Sequence, residues 1–178
     1  REVRSRLKRS AIMKGAVGSY LGLGDDAIAI ERDFALLLGL DEPYLADWHG
    51  ARDVFAEYAQ VQALIAQALG RLGTEIFLLQ TTDIGEVREV RPASAVGSST
   101  MPHKNNPSKP EALIQYSRSI PALASVVLDD VINPFERDNT SRPNRVLRDI
   151  SVESARALAT ATRLVAELEV FPEVMRAN

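Results

Sequence analysis

The sequence predicts an all-α fold, a bundle of long helices, and three observations support this prediction. Apolar residues between Arg52 and Thr81 recur at alternating steps of three and four, which is the period of one helix face. No segment of useful length shows the strict apolar–polar alternation of a half-buried strand. The composition is 46% hydrophobic and 25% charged, which is typical of a folded domain rather than a disordered chain.

The first predicted helix with clear ends covers residues 27–38. Glycines cluster between residues 15 and 24, where they interrupt any helix and indicate a loop or a close backbone approach. Asp25 and Asp26 follow and can cap a helix, and Gly39 can close it.

The longest predicted helix begins near Arg52 and ends near Thr81. Gly70 and Gly73 each lower its intrinsic helix propensity by about 1 kcal/mol relative to alanine. Because glycine has no side chain, we expect both residues to permit close contact with another helix. The predicted apolar stripe consists of Val54, Tyr58, Val61, Ile65, Ala68, Leu72, Ile76 and Leu79.

A helix of about thirty residues is roughly 45 Å long. That length exceeds what a 178-residue globule covers on one side, which favours burial against further copies of the chain. The alternative is an elongated monomeric bundle.

Two more long helices are predicted after the central loop. One runs from about Pro110 to Val131, and Pro121 should kink it or divide it in two. The other runs from about Arg145 to Leu168. Its apolar residues are Ile150, Ala157, Ala161, Leu164 and Leu168.

Composition excludes several classes of function. The net charge of −3 gives no indication of a nucleic-acid partner. The chain has no cysteine, which excludes disulfides, thiolate chemistry and cysteine-based metal sites and fits a reducing cytoplasm. No apolar run approaches the length that spans a bilayer, so no membrane partner is expected.

The connection "TTDIGEVREVRPASAVGSSTMPHKNNPSKPE" is far longer than the usual link between helices, and loops of this length are often functional. It carries the Lys104 cation, amides at Asn105 and Asn106, and hydroxyls at residues 98–100. Together these groups predict an anion-binding lid. The acidic residues Glu86 and Glu89, which precede them, are expected to be solvated.

The stretch "GSSTMPHKNNP", residues 97–107, closely resembles the signature loop of the fumarase/aspartase superfamily. "KGAVGSY", "TEIFLLQTTDIGEV" and "ERD" at 136–138 resemble segments of its adenylosuccinate lyase branch. The resemblance implies that residues 1–178 form the central helical-bundle domain, with the signature loop at 91–109. The amino-terminal and carboxy-terminal lobes of that fold would lie outside this sequence.

The resemblance also implies a β-elimination that releases fumarate from a succinylated substrate through an aci-carboxylate intermediate. Ser98 would be the general base, with Ser99 as the alternative. Lys104 and Asn106 would contact a substrate carboxylate, and Thr100 and Met101 belong to the same loop, where Met101 more plausibly shapes it. The general acid would be a histidine on a segment nearer the amino terminus, not His103 or His49.

Two further regions carry substrate-binding candidates. "LLQTTDIGEV" resembles the stretch that lines the substrate pocket in the family, and Gln80 is its best candidate. "FERDNTSRPNRVLRD" is either a solvated basic helix start or an anion grip. There Arg137 matches the resemblance well, whereas Arg148 matches a phosphate-binding arginine only if about two residues are inserted. Pro143 departs from the pattern, which leaves a nucleotide substrate in question.

As a whole, the resemblance implies a cofactor-free and metal-free homotetramer that acts on a small dicarboxylate substrate. Its active sites would be assembled from segments of three subunits. One alternative is an enzyme like 3-carboxy-cis,cis-muconate cycloisomerase. The other is a catalytically silent helical assembly module, if the natural chain starts at residue 1.

Overall fold

A computed structural model of the protein describes residues 2–15, 18–45, 51–90, 106–131 and 141–178. Three long helices dominate it, which confirms the all-α prediction. Within the described residues no helix combines the length and the apolar character needed to cross a membrane. In chain order the elements are α1 (Glu2–Leu7), α2 (Ala27–Leu37), α3 (Asp53–Leu79), β1 (Val87–Glu89), α4 (Ser108–Asp129), α5 (Ser141–Ala166), β2 (Leu168–Val170) and α6 (Pro172–Ala177).

Internal contacts divide the chain into two compact units. The first comprises residues 1–61 and 124–147, and the second comprises residues 62–123 and 148–178. The candidate site described below lies in the second unit.

In the first unit, Gly39 ends α2 as predicted. Its φ is +68°, and its N–H donates to the Leu36 carbonyl at 2.9 Å, while the Leu40 N–H donates to Ala35 at 2.9 Å. This is the Schellman arrangement that closes a helix with a left-handed residue. The capping prediction for Asp26 is wrong, because it occupies the N-cap position but its side chain makes no cap bond. Its ψ of 10° departs from the extended backbone that usually aims a capping side chain at the helix.

A buried polar network holds the glycine-rich segment of the first unit. The Lys14 ammonium donates to the Leu45 carbonyl at 2.8 Å and to the Tyr20 hydroxyl at 3.0 Å. That hydroxyl donates to Glu31 Oε2 at 2.5 Å, and Glu31 Oε1 accepts the Met13 N–H at 2.7 Å. The Lys14 and Glu31 side chains are almost completely buried, so the two charges compensate each other away from water.

The second unit has its core where α3 approaches α4 closely. A Cβ on Gly73 would lie 2.8 Å from the Pro110 carbonyl oxygen, and a Cβ on Gly70 would lie 2.3 Å from the Ser117 Cβ. The prediction that these glycines permit close helix contact is therefore confirmed. The buried apolar cluster of this unit consists of Ile76, Val87, Leu113, Ala161 and Leu164.

The deepest face of α3 differs from the predicted stripe. Most of the predicted stripe is only half-buried, Ala68 is exposed, and Ile76 alone of that set is buried. A neighbouring backbone approaches a helix most closely where the side chains of that helix are small. The small residues of α3 therefore form its deepest face, and its larger apolar residues lie on either side of that face. The buried positions are Ala56, Ala59, Ala63, Ala66, Gly70, Gly73 and Ile76.

Pro121 lies inside α4, and the helix continues through it. Of the two predicted alternatives, division of this helix at Pro121 is therefore wrong. Proline has no N–H to donate to the carbonyl four residues earlier, which here belongs to Ser117. That carbonyl instead accepts a hydrogen bond from Gln67 Nε2 at 2.5 Å. The neighbouring helix therefore satisfies the group that Pro121 leaves without a helical partner.

The buried face of α5 confirms the predicted period. Ile150, Ala157, Ala161 and Leu164 are buried, whereas Leu168, which was predicted on the same helix, is half-buried and lies beyond it in β2. The helix ends at Ala166 because the chain turns into β2, which pairs antiparallel with β1. Each strand has only three residues, too few for alternation to be visible in the sequence.

Candidate active site

Glu89 is the buried acidic residue of the candidate site. It ends β1, whose side chains alternate from Val87 inward to Arg88 outward to Glu89 inward. Glu89 is 3% exposed, so the expectation that it is solvated is wrong. The strand pairing with β2 turns this carboxylate toward the interior of the second unit. Glu86 is also not fully solvated, because it is half-buried and accepts a hydrogen bond from Asn178.

The Glu89 carboxylate lies at the amino end of α4. Its Oε2 accepts the Lys109 backbone N–H at 3.1 Å, and its Oε1 is 3.4 Å from the Ser108 hydroxyl. Because α4 begins at Ser108, the Lys109 N–H is one of the donors that have no partner within the helix. A carboxylate in this position satisfies such a donor and is also stabilised by the helix dipole.

Lys109 joins this carboxylate to a second one. Its Nζ is 3.2 Å from Glu89 Oε1 and 3.0 Å from Glu167 Oε2, at the junction of α5 and β2. Burial alone would lower the pKa of Lys109, but the hydrogen bonds and charges of Glu167 and Glu89 outweigh burial and raise that pKa above its ordinary value. The ammonium form of Lys109 is therefore favoured by the fold.

Gln80 lies next to Glu89 at the end of α3. Its Oε1 accepts the Glu89 backbone N–H at 2.7 Å. Only the oxygen of a side-chain amide can accept a hydrogen bond, so this contact fixes which end of the Gln80 amide faces the Glu89 N–H. Its Nε2 is buried, and it has no hydrogen-bond partner among the residues that the structure describes. A buried donor without an acceptor is costly, and this Nε2 is therefore available to an acceptor outside the described residues.

We call this group the Glu89 cluster. It joins the end of α3, the end of β1, the start of α4 and the end of α5. The residues that precede and follow the signature motif in the chain thus meet at one place. The cluster consists of Gln80, Glu89, Ser108, Lys109 and Glu167.

Two other predicted contact residues fall within the described ranges. Asn106 is exposed, and its carbonyl accepts the Ser108 N–H at 2.9 Å, so it lies beside the Glu89 cluster. Arg148 is exposed on α5, where a helical rise of 1.5 Å per residue separates it from Ala166 by about 27 Å. Within one chain, Arg148 is not brought to the Glu89 cluster.

The remaining predicted site residues lie outside the described ranges, and their roles stay predictions. These are Ser98, Ser99, Thr100, Met101, Lys104 and Arg137. His49 and His103, neither of which is expected to be the general acid, also lie outside the described ranges.

Sequence reasoning overlooked Glu89 and Lys109. One signal for Glu89 is the alternation in Val87, Arg88 and Glu89, which puts the acid on the same face as a buried valine. Lys109 directly precedes Pro110, a residue that favours the first turn of a helix. An acidic residue that precedes a motif and a lysine that follows it are also candidates for an ion pair with each other.

Comparison with known proteins identifies a family match. A model of a family described as lyase matches residues 1–122.

Curated relatives match nearly the whole chain. N-acetyl-S-(2-succino)cysteine lyase of Dickeya dadantii is 35% identical over 99% of this chain and 39% of its own length. Adenylosuccinate lyase of Pyrococcus horikoshii is 39% identical over 93% of this chain and 37% of its own length. The chain thus spans about two-fifths of the length of these relatives.

A solved structure has the same fold as this chain. The 3-carboxy-cis,cis-muconate lactonizing enzyme from Pseudomonas putida superposes with a TM-score of 0.86 at 35% identity. That match covers 99% of this chain and 40% of the other.

Proposed function

The chain belongs to this lyase family, within the fumarase/aspartase superfamily, and on that premise we propose that its protein releases fumarate from a succinylated substrate by β-elimination. The observation that carries the proposal is the eleven-residue motif from Gly97 to Pro107. It combines hydroxyls, amides and one ammonium group, which suit a substrate that carries two carboxylates.

Ser98 acts as the general base of the proposed reaction, and Ser99 is the alternative. The base removes a proton from the carbon next to a substrate carboxylate, and the electron pair moves into that carboxylate to give the aci-carboxylate dianion. The pair then returns to form the C=C bond of fumarate as the bond to the leaving group breaks. The leaving group takes its proton from a general acid supplied by another segment.

Lys104 and Asn106 bind the carboxylate on which the second negative charge develops. An ammonium group held there stabilises the dianion more than it stabilises the substrate, so it accelerates the chemical step. Thr100 and Met101 complete this loop. Gln80 supports the same proposal, since its buried Nε2 has no acceptor among the described residues and can donate to a carboxylate oxygen.

The proposed substrate is defined by its succinyl group. Adenylosuccinate and N-acetyl-S-(2-succino)cysteine, as the names of the relatives give them, share that group but attach it to different partners. The leaving group is then an amine in one case and a thiol in the other. A nucleotide substrate would additionally need Arg137 and Arg148 for its phosphate.

The proposed assembly is a homotetramer whose active sites combine several subunits. The position of Arg148 supports this, because that arginine is exposed and about 27 Å along α5 from Ala166. A neighbouring copy could supply an arginine to the site without any rearrangement of the helix.

A second candidate function is the cycloisomerisation of 3-carboxy-cis,cis-muconate. The observation that favours it is the 0.86 TM-score with the lactonizing enzyme of Pseudomonas putida. This reaction would consume the conjugated diene of its substrate and release no fumarate.

The test is to incubate the complete natural polypeptide separately with adenylosuccinate, N-acetyl-S-(2-succino)cysteine and 3-carboxy-cis,cis-muconate. Fumarate is followed by its ultraviolet absorbance and identified by chromatography. Fumarate from either succinyl compound supports the proposal and names the leaving group. Loss of the muconate alone, without fumarate from the other two, supports the second candidate and contradicts the first.

A further inference from the structure

We infer that Glu89 is a positioning residue for the proposed elimination, because it fixes the two points of the chain between which the signature motif runs. The inference rests on the proposed function, but the contacts that carry it lie entirely within the described residues. It concerns the Glu89 cluster, which no part of the proposed chemistry uses except Gln80.

Glu89 is not an incidental buried charge. A buried carboxylate is destabilising unless it is paired and hydrogen-bonded. Glu89 has the Lys109 ammonium at 3.2 Å, the Lys109 N–H at 3.1 Å and the Ser108 hydroxyl at 3.4 Å. All three donors belong to the first two residues of α4.

These donors follow the signature motif in the chain, whereas Glu89 precedes it. Glu89 and Lys109 are 20 residues apart in sequence, and residues 97–107 of the motif lie between them. One carboxylate thus joins the residue at which the chain leaves β1 to the residue at which it enters α4. The junction therefore fixes Glu89 and Lys109, the described residues on either side of the motif, relative to each other.

The junction is also held from both sides. The Glu89 N–H donates to Gln80 Oε1 at 2.7 Å, which ties β1 to the end of α3. Lys109 Nζ also contacts Glu167 Oε2 at 3.0 Å, which ties the start of α4 to the end of α5. Loss of the Glu89 charge would remove one carboxylate from this arrangement and leave the Lys109 ammonium paired with Glu167.

The expected consequence for catalysis is that the chemical step slows, whereas substrate binding changes much less. A general base must approach its proton within hydrogen-bond reach, and a displacement of about 1 Å can cost roughly a hundredfold in rate. Glu89→Gln keeps the size of the side chain and removes its charge. We therefore expect kcat to fall about tenfold to a hundredfold, while KM changes much less.

The experiment compares Glu89→Gln with Glu169→Gln in the complete natural polypeptide. Glu169 is a matched control, because it lies on the paired strand but forms an exposed pair with Arg88. Hydrogen exchange of the peptide that covers residues 106–113 is measured without any substrate. Kinetics are then measured with the succinyl compound that the wild type cleaves, per folded enzyme and well below the melting temperature.

Two further variants separate positioning from stability. Ile76→Val weakens the core of the same unit and should leave kcat per folded enzyme unchanged. Glu89→Asp keeps the charge but retracts the carboxylate, so it remains informative if Glu89→Gln does not fold. Its kcat should fall in the same direction, by a smaller factor. With substrate deuterated at the abstracted position, the kinetic isotope effect should be larger in Glu89→Gln than in wild type.

Faster exchange at 106–113 together with a lower kcat in Glu89→Gln, and neither change in Glu169→Gln, is the expected result. Unchanged exchange would overturn the inference, whatever the activity. Faster exchange with unchanged kcat per folded enzyme would overturn the positioning role. A wild type that cleaves no succinyl compound, with the exchange difference intact, would instead overturn the proposed function and leave the junction itself established.

Discussion

The Glu89 carboxylate accepts a hydrogen bond from the Lys109 backbone N–H at 3.1 Å, across 20 residues of sequence. This contact links the end of a short strand to the first turn of a long helix. It gives the second unit a defined junction from which the motif-bearing part of the chain leaves and to which it returns.

Stability at alkaline pH should depend on Lys109. Its pKa is raised above the ordinary value of 10.5, so the fold favours the ammonium form. The stabilisation from this group is complete below pH 10.5 and is lost as the pH rises through the raised pKa. The wild type should therefore exceed Lys109→Met in free energy of unfolding at neutral pH, and the difference should shrink above pH 10.5.

Chemical denaturation at a series of pH values measures this difference, since groups common to both proteins cancel. Lys8, in an exposed pair with Asp41, is the control. Lys8→Met should change the free energy of unfolding by less than about 1 kcal/mol. A difference between wild type and Lys109→Met that stays constant or grows with pH would contradict the assignment.

Gly73→Ala should destabilise the protein, although alanine is the better helix former. The added Cβ would lie 2.8 Å from the Pro110 carbonyl oxygen and 2.9 Å from the Leu113 Cβ. Overpacking of this kind costs about 1–3 kcal/mol, which exceeds the gain of about 1 kcal/mol in helix propensity. Thermal or urea denaturation measures the net effect.

The control for Gly73 is the reverse change at an exposed position of the same helix. Ala68→Gly should cost about 1 kcal/mol through propensity alone. If Gly73→Ala proved more stable than wild type, α3 and α4 could not approach each other as closely as described.

Lys104→Ala should weaken both substrate binding and turnover. The ammonium group is proposed to hold the substrate carboxylate in the ground state and to stabilise the dianion more strongly. KM should rise, and kcat/KM should fall by about a hundredfold or more, as expected for the loss of one electrostatic contact to a developing charge. Steady-state kinetics of the complete polypeptide check this, and unchanged constants would remove Lys104 from the site.

The sequence predicted those parts of the fold that depend on one helix at a time. The spacing of Ile150, Ala157, Ala161 and Leu164 identified the buried face of α5, and Gly39 identified the end of α2. Both signals are local, since a helix period and a left-handed glycine do not require knowledge of the neighbouring elements.

The features that sequence reasoning missed depend on contacts between elements. Glu89 was expected in solvent because nothing in its own neighbourhood shows that β2 pairs with β1 and that α4 begins beside it. Ala68 was assigned to the buried stripe of α3 because apolarity alone was counted, whereas the close approach at Gly70 and Gly73 decides which face lies deepest. The resemblance predicts Gln80 as a substrate-pocket residue, but it gives no indication of the hydrogen bond between Gln80 and Glu89.

The most direct test of the central claim is the rate of fumarate release by wild type and Ser98→Ala, measured side by side on the complete polypeptide. We expect the wild type to release fumarate from at least one succinyl compound. Ser98→Ala should lose about a thousandfold or more in kcat while it still binds the substrate in a calorimetric titration, and Ser99→Ala serves as the comparison. A Ser98→Ala variant that releases fumarate at the wild-type rate would contradict the assignment of the base.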